Sequence, residues 1–333
     1  MESPDVTADL IATGRRLAAA GDWGELRRLL TEHEAAARLH PELATLRAES
    51  ALRTGRAREA HGWLTEVLPS LGRSGDRGAL RRAVNQLGVA DVELGALDDA
   101  ERTFGRALEL ARADGDDLLV ARATNNMGAI ANIRGQRDEA LLLYQLAIPA
   151  YQRLGHVSGL AESFHNMAIS YRHLGQLERS DEYESRAIGY ASECRNAPLL
   201  ALARLGRAEV SLQAGDAQLA EVGAQLAAAE FMAIPDPIRE ADALRLLGAA
   251  RVALRKDAEA TETLSRALEL ARAHGSALVE AETLRTRAEL RAATGDRSGA
   301  REDAAMAAAT FERLGARALC DEVLRWVEEL DGD

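Results

Sequence analysis

Amide, guanidinium and imidazole side chains gather in one stretch of an otherwise alanine-rich chain: Arg82, Asn85 and Gln86, then Arg122, Asn125, Asn126 and Asn132, then Glu162, His165, Asn166, Arg172 and His173. Asparagine inside a helix costs up to about 0.7 kcal/mol relative to alanine, so something other than helix propensity favours it here. A primary amide has two donors and an acceptor, which lets one side chain pair with both the N–H and the C=O of an extended peptide. Asn126 and Asn166 stand 40 positions apart, as a row of such clamps would. Arg82, Arg122 and Arg172 can supply charge-assisted bonds to a carboxylate, either an acidic side chain or a C-terminus. Each residue also has a plainer use: an asparagine can bond the neighbouring helix and set register, and an arginine can pair with Glu93 or Glu162. His165 and His173 are eight apart, more than two helical turns, too far to chelate one ion unaided, so no metal is expected.

Other chemistry is hard to place. Lys256 is the only lysine, so no Gly-Lys-Ser/Thr phosphate loop exists; His-Glu-x-x-His and Gly-x-Ser-x-Gly are absent too, and no cofactor is expected. An enzyme or small-molecule sensor would have to rest on His165, Glu162 and Arg172, and a closed cavity around His165 would be its mark. With 41 basic and 53 acidic side chains the formal net charge is -12, which argues against nucleic acid and anionic membranes as partners. Cys194 and Cys320 are isolated, no basic-then-apolar leader opens the chain, and no run of about 18 apolar residues occurs. These features together suggest a reduced, cytoplasmic setting.

The elements that carry the polar stretch follow a repeat. Small residues Gly14, Ala48, Gly88, Gly128, Ala168, Ala208, Gly248 and Ala288 are separated by one interval of 34 and six of 40. Seven residues after each stands Gly21, Gly55, Gly95, Gly135, Gly175, Gly215, the exception Arg255, and Gly295. Further mostly small sets follow, Leu26, Ala60, Ala100, Ala140, Ser180, Ala220, Ala260 and Ala300, then His33, Val67, Ala107, Ala147, Ala187, Ala227, Ala267 and Ala307. Two helices packed side by side need small residues where their axes meet and a glycine in the turn between them.

This pattern resembles the tetratricopeptide repeat. Phe104, Tyr144 and Leu264 occupy the position of that repeat's larger apolar group; Glu184 and Ala224 depart from it, and Tyr183 is expected to compensate for Glu184. The resemblance implies an all-α, right-handed superhelical solenoid of eight helical hairpins over residues 5–315. Residues 316–330 would add a C-terminal capping helix, with Leu319, Val323, Trp326, Val327 and Leu330 at helical spacing. The six extra residues per unit are expected to lengthen the second helices. Pro69 and Pro149 should bend or end theirs, and Pro235 with Pro237 should open an irregular joint. Trp23, Trp63 and Trp326 read as packing or cap residues.

The resemblance further implies that the first helix of each hairpin lines the concave surface, which would place the twelve polar residues named at the outset on its middle units. Long repeats with asparagine before the small residue are similar to those of kinesin light chain, LGN-type scaffolds, peptide-pheromone receptors of Gram-positive bacteria and the sensor regions of large bacterial activators. The implied function is noncatalytic recognition of an extended peptide or protein segment in the groove, in regulation or complex assembly. The alternative is a scaffold or homo-oligomerising subunit that uses its outer surface or ends.

Overall fold

The repeating small residues become closely packed antiparallel helices. The computed structural model describes residues 4–234 and 236–332 and contains, among them, helices and no strand. The first hairpin is α1 (Pro4–Ala20) with α2 (Trp23–Glu32), followed by a short α3 (Glu34–Leu39). Then come α4 (Pro41–Arg53) with α5 (Ala57–Ser74), α6 (Arg77–Glu93) with α7 (Leu97–Asp114), and α8 (Asp117–Ile133) with α9 (Arg137–Leu154). They continue as α10 (Val157–His173) with α11 (Leu177–Glu193), and α12 (Ala197–Gln213) with α13 (Ala217–Ala233). The last are α14 (Pro237–Ala253) with α15 (Asp257–His274), α16 (Ala277–Ala293) with α17 (Arg297–Arg313), and a single α18 (Arg317–Gly332). The chain divides into two compact units, residues 1–123 and 124–333, with the boundary inside α8.

From α6 to α17 every helix has 17 or 18 residues, so the added length of the long repeat lies in both helices of a pair and not only in the second. The one 34-residue interval reflects the first hairpin, whose second helix stops after 10 residues. Pro69 and Pro149 do not end their helices. Each lies inside, and α5 and α9 run on until Gly75 and Gly155 turn left-handed. Where the turn glycine fails, Arg255 still adopts φ 59, a strain of about 1–3 kcal/mol that the surrounding hairpin sustains. Pro237 sits in the first turn of α14, where a missing N–H costs nothing, with the Asp236 carboxylate accepting from the Arg239 amide; Pro235 lies outside the described residues.

Within a hairpin the small residue and the large one are partners. A Cβ on Gly88 would stand 2.7 Å from the Phe104 ring, one on Gly128 2.6 Å from Tyr144, and one on Gly248 2.5 Å from Leu264. In the first unit Trp63 is buried, donates its indole N–H to the Ala44 carbonyl at 2.9 Å, and carries the Arg47 guanidinium over its ring at 3.9 Å. In the second unit the neighbouring first helices α10, α12, α14 and α16 lie side by side. At its end α18 buries Leu319 and Val323 against Phe311 and Leu314, while Asp321, Glu322, Glu328 and Glu329 face water. This cap does more than cover an open end: Ile133 of α8 joins the same apolar cluster, and Gly135 comes so near Ala318 that a Cβ there would be 2.6 Å away. The last helix of the second unit therefore touches its first.

Candidate functional site

The contact between α18 and α8 helps to bound a chamber of about 400 Å³ inside the second unit. Its wall is drawn from successive elements: Asn132 on α8, Arg137 and Tyr144 on α9, His165, Asn166, Arg172 and His173 on α10, Glu209 on α12, Asp242 and Arg245 on α14, Glu282 on α16, and Leu319 on α18. That volume falls in the usual range for ligand pockets, while the lining is more polar and more charged than theirs commonly is.

A ladder of alternating charge crosses this wall. The Arg172 Nη2 lies 2.5 Å from Glu209, Glu209 lies 2.6 Å from Arg245 Nη2, and Arg245 also meets Asp242 at 2.7 Å and Glu282 at 3.6 Å. Burial alone would raise the Glu209 carboxyl, but the charges of Arg172 and Arg245 outweigh it and hold it down to about 2. Glu282, farther from its arginine, is instead raised by burial, with Arg245 opposing. The rungs are 36 or 37 residues apart in sequence, close to the repeat, so alternation of sign at that spacing was the signal available for Glu209, Arg245 and Glu282. Read singly, Glu209, Asp242 and Arg245 look like isolated charges on an apolar helix face.

The predicted residues separate into groups. Asn125 and Asn132, seven apart on α8, are buried, and their carboxamide oxygens accept from Ser163 at 2.9 Å and Ser170 at 3.2 Å, seven apart on α10. These two bonds fix the register of α10 against α8. Asn132 also accepts from Arg137 Nη1 at 3.0 Å, and so orients that guanidinium. Asn166 is half-buried with its side chain on the chamber wall, whereas the half-buried Asn126 is not among the lining residues. Glu162 is likewise half-buried and outside the lining. Arg82, Asn85, Gln86 and Arg122 belong to the first unit. There Arg82 and Arg122 are exposed, Asn85 is half-buried, and Gln86 donates to the Thr45 carbonyl at 3.2 Å.

His165 is buried, with Nδ1 at 3.0 Å from both carboxylate oxygens of Glu184 on α11. The expected compensation by Tyr183 does not occur: Glu184 keeps the repeat position itself, and Tyr183 stacks on Tyr171 with centroids 5.1 Å apart. Burial raises the Glu184 carboxyl and His165 opposes the rise. Space for this carboxylate comes from Gly206, where a Cβ would fall 1.9 Å from Glu184 Oε1. His173 is exposed, yet the chain crowded around it, and then the charges of Arg172 and Arg137, push its pKa down to about 3. His173 is therefore neutral at pH 7.

Sequence reasoning missed Arg137, the first residue of a second helix, because the inner wall was sought only on first helices. Tyr144 was read as a packing residue alone. Among the described residues no group of three or more His, Cys, Asp or Glu side chains could hold a metal ion, and no helix is long and apolar enough to cross a membrane.

Hairpins built on a shared period define a helical-repeat protein in fold. Residues 79–153 match the family model of the tetratricopeptide repeat, and the hairpins on either side of them follow the same period. No curated protein matches the chain by sequence. Its fold is similar to that of a Rap protein complexed with Competence and Sporulation Factor, at TM-score 0.66 and 13% identity, covering 98% of each chain. It is also similar to the Rap conjugation gene regulator of plasmid pLS20 in complex with the Phr* peptide, at TM-score 0.67 and 15% identity, covering 90% of this chain and 78% of that one. A third likeness, to the APC/C hetero-tetramer Cut9-Hcn1, has TM-score 0.62 and 15% identity over 95% of this chain and 55% of that one.

Proposed function

We propose that the protein is a noncatalytic module that holds a short extended peptide in the chamber of its second unit, and so serves regulation or complex assembly in the cytoplasm. The observation that carries this reading is the wall itself: polar side chains from α8, α9, α10, α12, α14 and α16 converge on one space of about 400 Å³, which is lined by His165 but partly open to solvent and not the closed cavity that a sensor or enzyme would need. Asn166 supplies the amide clamp, since its carboxamide lines that space and makes no hydrogen bond within the described residues. Fold likeness to two Rap proteins solved with a factor or a peptide bound supports the same reading.

The test is affinity selection. Full-length protein is incubated with a pool of random N-acetylated hexapeptides, and retained species are identified by mass spectrometry. Wild type should enrich a subset, and Asn166→Ala should weaken binding of that subset about tenfold with an unchanged melting temperature. Absence of any enriched peptide would overturn the reading.

A scaffold that works through its outer surface is favoured by one feature. On α13, Leu219, Val222 and Leu226 stand exposed at spacings of three and four residues, two of them 56% and the last 61% open to water. Light scattering of wild type against Leu226→Glu separates the two readings, because only the outer-surface reading expects the substitution to change the mass in solution.

A further inference from the structure

One part of the chamber wall holds hydrogen-bond donors with nothing to donate to. The Tyr144 hydroxyl is sealed from water and has no partner, on a residue with 0% exposure. Arg172, itself 8% exposed, spends Nη2 on Glu209 and leaves Nη1 buried and unpartnered. Arg137 pairs with no carboxylate among the described residues; its Nη1 meets only the neutral oxygen of Asn132. All three line the chamber. Orphaned buried donors are uncommon in folded proteins, and an acceptor brought by a ligand is one way to satisfy them.

The charges point the same way. Across the ladder, Arg172 and Arg245 are paired with Glu209, Asp242 and Glu282, whereas Arg137 forms no ion pair among the described residues and feels only the more distant charge of Glu322. The hydroxyl is also unnecessary for folding, because Phe104 fills the same repeat position over Gly88 as Tyr144 does over Gly128. A ligand group that satisfies two guanidinium edges and a phenol hydroxyl at once must be anionic, compact and rich in acceptors.

We propose that Arg137, Tyr144 and Arg172 form a carboxylate subsite that anchors the ligand in this chamber. Built on the peptide reading above, the subsite takes either the C-terminal carboxylate of the peptide or an acidic side chain. Arg137 and Arg172 supply charge-assisted bonds, and the Tyr144 hydroxyl donates a third.

The experiment uses the full chain and four N-acetylated hexapeptide pools: free C-terminus or C-terminal amide, each with and without Asp and Glu. Retention that requires the free C-terminus assigns the subsite to that carboxylate, and retention of amides only when Asp or Glu is present assigns it to a side chain; both support the proposal. Tyr144→Phe and Arg137→Gln should each weaken the retained peptide about tenfold. Equal retention of the amidated pool lacking Asp and Glu, or unchanged affinity in both variants, overturns it. If no pool is retained, the peptide reading fails and the subsite is read by thermal shift with N-acetylglycine against N-acetylglycinamide. Stabilisation by the acid alone, lost in Tyr144→Phe, upholds the carboxylate subsite without the peptide; no shift with either compound overturns the subsite as well.

Discussion

The hairpins α6/α7 and α8/α9 are built on one template and differ where it matters by a single oxygen. Phe104 lies over Gly88 and completes a dry seam. Tyr144 lies over Gly128 in the same way, and adds a hydroxyl that finds no partner and lines the chamber of the second unit. In the next hairpin the same position holds Glu184, whose carboxylate is satisfied by His165. The lesson is that a repeat position can be wholly apolar in one unit and carry an unpartnered polar atom in the next.

The sharpest break of this comparison is at Glu184. Glu184→Ala leaves His165 buried without its partner and opens a void, so unfolding in urea should show a loss of about 3 kcal/mol or more. Next, Gly88→Ala and Gly128→Ala should cost the same, about 1–3 kcal/mol each, because both force a methyl into an aromatic ring. Unequal losses would show that the two seams are not equivalent. Third, the reciprocal exchange should be asymmetric. Phe104→Tyr buries an unpaired hydroxyl and should lose about 1–3 kcal/mol, whereas Tyr144→Phe removes one and should leave the melting temperature unchanged or raised while weakening ligand.

The smallest effect concerns acid. The Glu209 carboxyl is held at about 2 in the folded protein against an ordinary value of 4.5. Its contribution to stability is therefore fully present above pH 4.5 and lost as the pH falls towards 2. Glu184, raised by burial, takes up its proton above the ordinary value, so acidification through that window favours the folded form and partly offsets the loss. Melting temperature against pH should show a flatter acid limb in Glu209→Gln than in wild type.

Much of this architecture was legible in the sequence. The small residues at 40-residue spacing gave the hairpins, and the turn at Arg255 could be placed although its glycine is missing, because the rest of the period constrained it. Part of the chamber's lining was legible too: Asn132, His165, Asn166, Arg172 and His173 were singled out as candidates, and all five lie on its wall. Periodicity, however, reports what repeats share, and the site depends on how they differ. Glu184 looked like a defect in the pattern and is a buried partner of His165. Arg137 sits on a second helix, and its guanidinium donates to Asn132 on the wall. The meeting of α18 with α8 sums small offsets over five hairpins, which no local pattern records. Asn125 was singled out for its chemistry, and its bond to Ser163 sets register instead.

The central claim is that ligand enters the second unit's chamber rather than the outer face of α13. Hydrogen–deuterium exchange of the full chain, with and without a retained hexapeptide, tests it most directly. The account predicts new protection in α8, α10, α12 and α14, with α13 unchanged. Protection confined to Leu219–Met232 on α13, with the chamber helices unaltered, would contradict it.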